Sequence, residues 1–246
     1  MFAPSSKARL TNHDLGRFSG DTLFHRIARV VCGAGCLPRK ELFEAWEVAR
    51  RVRRRFRGGR VVDLCAGHGL LGQIMLLLDD SSHDVLIVDR SLPASCPTLA
   101  RAIAAEWPKL EGRVAHLEAS LADVPLRKDD VVVSIHACGG LTDTVIDLAA
   151  ASCSRLAVMP CCHDLDRAQS GGLTGWLNEA LAVDVVRASN LRALGWQVWT
   201  QTIPAEITPH NRLLMAERRG GQHGGGEGVR RIDQATNGGF DRSGSA

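Results

Sequence analysis

No uninterrupted apolar run in the 246-residue chain approaches the roughly 20 residues that a membrane-spanning helix needs, so no membrane partner is expected. The polar start, Met1-Phe2-Ala3-Pro4-Ser5-Ser6-Lys7, leads into no apolar h-region, so no secretory signal is read and a cytoplasmic protein is expected. In that reducing compartment the eight cysteines are expected as thiols, metal ligands or core residues rather than as disulfides. Net charge is only +3, too weak by itself to argue for nucleic acid. Tyrosine is absent altogether, and so are internal repeats.

The chain does hold an ordinary globular balance, 45% hydrophobic and 23% charged, at a length suited to one sizeable domain with loose ends. Residues 1–20 are expected as a flexible N-terminus and 219–246 as a disordered Gly-rich tail. Between them, 21–58 read as a helical extension or lid and 59–218 as the main domain. In the extension, Leu23, Phe24, Ile27, Val30 and Val31 recur at helical spacing until Gly33-Ala34-Gly35 and Pro38 break the pattern. A second helix is predicted over 39–55, burying Leu42, Phe43, Trp46 and Ala49, and ended by Gly58-Gly59. Arg50, Arg51, Arg53, Arg54, Arg55, Arg57 and Arg60 crowd its end. Such a run suits a phosphate backbone; it equally suits a solvated helix terminus, where cations complement the dipole.

From residue 60 onward short apolar strands alternate with helices. Strands are predicted over 60–64, 84–89, 113–118, 130–135 and 155–159, with helices over 70–78, 98–107 and 141–151 between them. That alternation marks a doubly wound, mostly parallel α/β sheet covered on both faces. After a helix over 176–193, two further strands, 196–203 and 212–217, leave no room for a helix between them. The expectation is a seven-stranded Rossmann-like sheet that ends in an antiparallel hairpin.

The loop after the first strand, Asp63-Leu64-Cys65-Ala66-Gly67-His68-Gly69, contains the pattern G-x-G-x-x-G through Gly72. Asp89 follows Gly69 by 20 residues, at a strand end. Both features fit a dinucleotide site, where the glycines allow a tight turn and the acid meets a ribose. Asp63 separates the readings. It lies inside the strand, four residues before Gly67, where a dinucleotide site usually keeps a small or apolar residue. A buried carboxylate there is costly unless a cation or hydrogen-bond donors meet it.

Asp-x-x-x-Gly-x-Gly followed by an acidic end to the next strand resembles motifs I and II of class I methyltransferases, and the terminal hairpin resembles their architecture. The likeness implies S-adenosylmethionine as cofactor. Its ammonium group would partner Asp63; Cys65, Gly67 and Gly69 would cradle its amino-acid end; Asp89 would hold its ribose hydroxyls; Ser120 or Leu121 would border its adenine. Cys65 stands where the family's first glycine usually is, a departure that a modest backbone change is expected to absorb. His68 is read as a tolerated loop residue beside the cofactor.

Two further segments, His136-Ala137-Cys138-Gly139-Gly140-Leu141-Thr142-Asp143 and Met159-Pro160-Cys161-Cys162-His163, end the fourth and fifth strands. Neighbouring strands would bring both to the edge where open α/β sheets bind ligands. Together with the glycine loop, these runs resemble the methyltransferase branch that includes the tRNA enzyme Trm13 and the glutathione S-transferase C-terminal-domain-containing proteins, over roughly 60–217. That likeness implies methylation of a tRNA ribose hydroxyl. Three readings of the cluster stand side by side. The cysteines pack as small hydrophobes; His136 or His163 orients or deprotonates a hydroxyl acceptor; or Cys138, Cys161 and Cys162, with a histidine, bind Zn2+. A cysteine nucleophile at Pro160-Cys161 ranks below these, because the pair follows the fifth strand rather than the fourth.

The expected chemistry is in-line displacement of the sulfonium methyl by an acceptor atom, with positioning supplying much of the rate. With no tyrosine and no Asp/Asn-Pro-Pro-Tyr/Phe run, a hydroxyl is favoured over the nitrogen of a stacked base. RNA is the favoured acceptor, a small molecule the alternative, and the N-terminal helices with Trp46 and the arginines are expected to form part of its lid. A non-catalytic binding module of the same fold is the remaining alternative, against which the intact Asp63, Gly67, Gly69 and Asp89 argue.

Overall fold

A computed structural model describes residues 2–218; the Gly-rich tail read over 219–246 lies outside the described residues. Seven strands form one sheet in the order β3-β2-β1-β4-β5-β7-β6. They are β1 (Val61–Leu64), β2 (Val85–Asp89), β3 (Val114–Glu118), β4 (Val131–Ser134), β5 (Arg155–Val158), β6 (Trp196–Thr202) and β7 (Arg212–Arg218). The first five run parallel. β7 pairs antiparallel with both β5 and β6, so the terminal hairpin is present as the spacing predicts. All four residues of β1 and of β4 are buried, as continuous apolar strands in a doubly covered sheet must be.

Alternation along the strands sends side chains to two cores. Val61, Val131, Val133 and Ala157 face one layer, built with α1 (Leu23–Ala34), α2 (Arg39–Arg55), α3 (Leu70–Leu78) and α4 (Cys96–Glu106). Val62, Leu64, Val132 and Leu156 face the other, built with α5 (Leu141–Ser152) and α6 (Glu179–Ala193). The segment 21–58 thus shares its core with the sheet, α2 packing on α3 and α1 on α4. The strand order reverses between β1 and β4, and the carboxyl ends on either side of that switch form the natural ligand crevice. No helix among the described residues is long and apolar enough to cross a membrane.

Three expectations need correction. The stretch 1–20 is not loose throughout: Asn12–Phe18 forms a 3-10 helix, Arg9 bridges to Pro38, and Leu10 and Phe18 enter the core. The Leu10 N–H also donates to Leu37 O, and Arg29 to Phe18 O. The buried stripe of α2 is Leu42, Ala45, Val48, Ala49 and Val52, whereas Phe43 and Trp46 are half-buried and stack on Phe24 of α1. The helix from the fifth strand begins at Glu179 rather than 176, with Asn178 as its N-cap.

The arginine run is also not a free cationic patch. Arg53 is 2% exposed and donates to Met75 O at 3.0 Å, Phe56 O at 3.3 Å and Ser82 Oγ at 2.7 Å, with Asp79 at 3.2 Å. Arg60 makes a two-pronged bond to the buried Asp130 at 2.9 and 2.8 Å. Arg50 and Arg51 pair with Glu47, Arg57 reaches Asp79, and Arg55 stacks on the Trp199 ring. Only Arg54 has no such partner among the described residues. The partners of Arg53, Arg57 and Arg60 lie just before β2 and β4, so this end of α2 sits at the amino edge of the parallel strands, opposite the crevice. Arg53, Arg57 and Arg60 are therefore engaged away from the crevice, whereas Arg51 donates to Thr202 O at the carboxyl end of β6.

Arg53→Ala should destabilise the fold by about 3–5 kcal/mol, because it removes a buried ion-pair partner of Asp79 together with its bonds to Met75 O, Phe56 O and Ser82 Oγ, whereas Arg54→Ala should stay within about 0.5 kcal/mol. Burial pushes the Asp79 carboxyl up, but hydrogen bonds from Ser81 and the Gly58 N–H and the Arg53 charge outweigh it, lowering it from 3.8 to about 2. A depressed carboxyl stabilises above its unfolded value, so roughly 2 kcal/mol should be lost as pH falls from about 4 to about 2. Urea unfolding at neutral and acid pH checks both, with Asp79→Asn expected to lose that acid limb.

Candidate functional site

The chain leaves β1 through a loop that only an unusual backbone can make. Gly67 and Gly69 take left-handed φ of 53° and 70°. A Cβ on Gly69 would sit 2.4 Å from Ile87 Cδ1, so the close approach of loop and β2 requires glycine there. Cys65 also adopts a left-handed φ, 54°. The cysteine thus holds a conformation that glycine adopts freely, at a cost of roughly 1–2 kcal/mol.

Two carboxylates fasten the loop. Asp63, 1% exposed, accepts from the Gly72 N–H at 2.9 Å through Oδ2, tying β1 to the first turn of α3. Asp89 accepts from the Gly67 N–H at 2.8 Å and from Ser91 N–H at 3.2 Å. Burial pushes the Asp63 carboxyl up to about 8; the Gly72 bond opposes that and the Asp89 charge adds to it. The cation that a buried carboxylate invites is not supplied by any lysine or arginine among the described residues.

Around this loop opens a cleft of about 630 Å3. Cys65, Gly67, Asp89, Ser120 and Leu121 line it together with His68 and His136, while Gly69 does not. A Cβ added at Gly67 would meet nothing within 4 Å, so the loop faces open space there. Asp63 and Glu41 border a small recess beside the cleft, which His68 and His136 share. A groove of similar size, about 640 Å3, lies between α6 and the β6–β7 hairpin, but it holds no glycine loop.

The titrating groups of the cleft are set by burial. It lowers His136 and His68, favouring neutral imidazoles. His68 Nε2 lies 2.8 Å from Ser95 Oγ, which holds the ring in place. Burial, then repulsion from Glu44, lifts Glu41 to about 6 against the pull of Lys40. The Cys65 thiol is raised to about 11, first by burial and then by the Asp89 and Asp63 charges, so it stays protonated at neutral pH. Sequence reasoning missed Glu41, Arg90 and Thr144 as cleft residues. Arg90 had a signal, since it directly follows the acid at the end of β2; Glu41 had none, because its place depends on how α2 docks.

The two cysteine-histidine segments do meet. The Cys138 and Cys161 sulfurs lie 2.9 Å apart and those of Cys161 and Cys162 3.9 Å apart, while the Gly139 N–H donates to Cys162 O at 3.3 Å. The histidines part company. His136 faces the cleft, whereas His163 lies 2.8 Å from Asp184 Oδ1 on α6, with Arg212 on the other oxygen at 2.6 Å.

Residues 41–169, just over half of the chain, match a family model described as a methyltransferase domain. Among solved structures, an O-methyltransferase family protein from Burkholderia thailandensis is similar at 22% identity and a TM-score of 0.50, over 88% of this chain and 66% of its own. This chain therefore spans just under two thirds of that protein's length. Magnesium protoporphyrin IX methyltransferase from Synechocystis, solved with S-adenosylhomocysteine, is similar at 16% identity and a TM-score of 0.49, over 84% of this chain and 94% of that one. A tRNA methyltransferase from B. subtilis is similar at 12% identity and a TM-score of 0.45, over 72% and 65%. No curated protein matches the sequence. The family match takes in Glu41, the glycine loop, Asp89, His136 and the paired cysteine segments, and the chain belongs to the methyltransferase-domain family.

Proposed function

We propose that this chain is an S-adenosylmethionine-dependent methyltransferase whose donor lies against the loop from Cys65 to Gly69. The observation that carries the reading is the unpaired, buried Asp63 beside a left-handed glycine loop, with Asp89 at the next strand end. The residues fit the group chemically. Asp63 offers a carboxylate to the donor's ammonium, Gly67 leaves backbone space, Asp89 keeps lone pairs for ribose hydroxyls, and Ser120 and Leu121 wall the adenine end. The donor supplies an already activated methyl, so the chain's own work is to orient the acceptor and exclude water. His136, kept neutral by burial and facing the cleft, is the residue we assign to receive an acceptor proton. His163, held by Asp184, is assigned a positioning role instead.

The acceptor we favour is an RNA ribose hydroxyl. Its support is the likeness of the runs 136–143 and 159–163 to the tRNA ribose methyltransferase branch. The arginine run adds little, because Arg53, Arg57 and Arg60 are engaged at the opposite edge of the sheet. That observation favours a small-molecule acceptor as the second reading. Incubating the full chain with methyl-labelled S-adenosylmethionine and total tRNA should put label into RNA; label confined to a small-molecule extract would move the assignment to the second reading.

Asp63 gives the donor site a pH dependence. The folded chain holds the Asp63 proton up to about pH 8, whereas the unfolded chain releases it near 3.8. Ligand-free stability from this group is therefore full below about 4 and lost as pH rises through about 8. Binding of a ligand ammonium needs the ionised form, so affinity for S-adenosylhomocysteine should rise by up to about tenfold from pH 6 to pH 7. Asp63→Asn should flatten that rise, as calorimetric titration at the two pH values would show.

A further inference from the structure

The thiols of Cys138, Cys161 and Cys162 are used neither by the core nor by the donor cleft. Cys138 is exposed and the other two are only half-buried, so packing as small hydrophobes does not explain why they gather. We infer that these three residues form a three-thiolate site for a zinc ion with its fourth coordination position open.

Geometry supports the ligand set. All three sulfurs lie within 4.8 Å of one another, although they come from two loops 23 residues apart. Tetrahedral zinc with bonds of about 2.3 Å requires sulfur–sulfur separations of about 3.8 Å. The Cys161–Cys162 separation of 3.9 Å already meets this, and the Cys138–Cys161 separation of 2.9 Å would have to widen. Cys138 has room to do so, being exposed and followed by Gly139-Gly140. Adjacent cysteines on a strand point to opposite faces. Here β5 has ended at Val158 and Pro160 precedes the pair, and the chain beyond it curls so that both sulfurs reach one point.

The flanks of both loops are braced by one helix. Arg187 of α6, 5% exposed, makes a two-pronged bond to Asp143 at 2.7 Å and also reaches Asp184 at 3.2 Å. Asp184 in turn holds His163, the neighbour of Cys162, and Arg212 of β7. Thr142 Oγ1 donates to Ala137 O at 2.6 Å, closing the loop that carries Cys138. Asp143, Arg187, Asp184 and His163 thus tie the flanks of the two loops together before any ion arrives. No fourth histidine, cysteine or carboxylate joins the trio among the described residues, and His163 is turned to Asp184. Three protein ligands with one free position is the layout of a zinc site that takes water or a further ligand, in contrast to the closed four-ligand structural site. The loop carrying Cys138 leads into α5, whose Leu141 and Thr144 line the cleft, so the trio lies next to the donor site without being part of its wall.

The inference does not depend on the methyl donor, and its test keeps the two apart. The reduced full-length chain is titrated with Co2+, zinc affinity is measured against a chromophoric chelator, and S-adenosylhomocysteine binding is measured on the same samples. We expect one ion per chain, an intense thiolate-to-cobalt absorption band, and visible bands that shift when imidazole fills the free position. Cys161→Ser and Cys138→Ser should each weaken zinc binding by at least about a hundredfold. Absence of the thiolate band, or full zinc affinity in both cysteine variants, would overturn the site. Visible bands indifferent to imidazole would overturn the open position. Because Cys138 is exposed, its variant tests the site even where Cys161→Ser fails to fold.

Discussion

The structure depends on a carboxylate placed where burial penalises it. Asp63, inside β1, has one oxygen on the Gly72 N–H and no lysine or arginine charge among the groups that set its proton affinity. That bond sets the first turn of α3, which in turn fixes where Gly67 and Gly69 must bend. Asp89 completes the arrangement from β2 by holding the Gly67 N–H. Two acids on neighbouring strands therefore fasten the loop from Cys65 to Gly69 at both ends. Each keeps lone pairs in reserve for a ligand. The folded chain meets the electrostatic cost of Asp63 by keeping it protonated, and a ligand cation would relieve it. A buried, under-satisfied carboxylate inside a strand of this kind is where fold and function share one residue.

The two edges of the sheet divide the remaining charged residues between them. At the amino edge, Arg53, Arg57 and Arg60 neutralise Asp79 and Asp130 and cap loop carbonyls. This is structural chemistry, and the guanidinium groups suit it because a planar fork satisfies several acceptors at once. The carboxyl edge holds Asp63, Asp89, His136 and the thiol trio, with fewer internal partners. Arg187 and Asp184 of α6 link the second layer to that edge without entering the cleft. Groups with partners build the frame, and groups without them face the space where a ligand would sit.

Much of this was legible from residue order. The continuous apolar strands gave the parallel sheet, the missing helix after residue 203 gave the hairpin, and the spacing of Asp63, Gly67, Gly69 and Asp89 placed all four around one loop. What failed to read was packing. Seven arginines look alike in sequence, yet Arg53 lies four residues beyond the buried Ala49 and so falls on the inward stripe of α2. His163 and His136 look equally catalytic until Asp184, 21 residues further along, takes one of them. Glu41 reaches the cleft only because α2 docks on α3. These are contacts between segments, which local periodicity does not encode.

The central claim is that the loop after β1 serves a methyl donor rather than a nicotinamide dinucleotide. Calorimetric titration of the full chain with S-adenosylhomocysteine and, separately, with NAD tests it most directly. The structure predicts saturable binding of S-adenosylhomocysteine, weakened by about 1–3 kcal/mol in Asp89→Ala, the scale of a hydrogen bond to a charged group, and no response to NAD. Binding of NAD with no response to S-adenosylhomocysteine would contradict it.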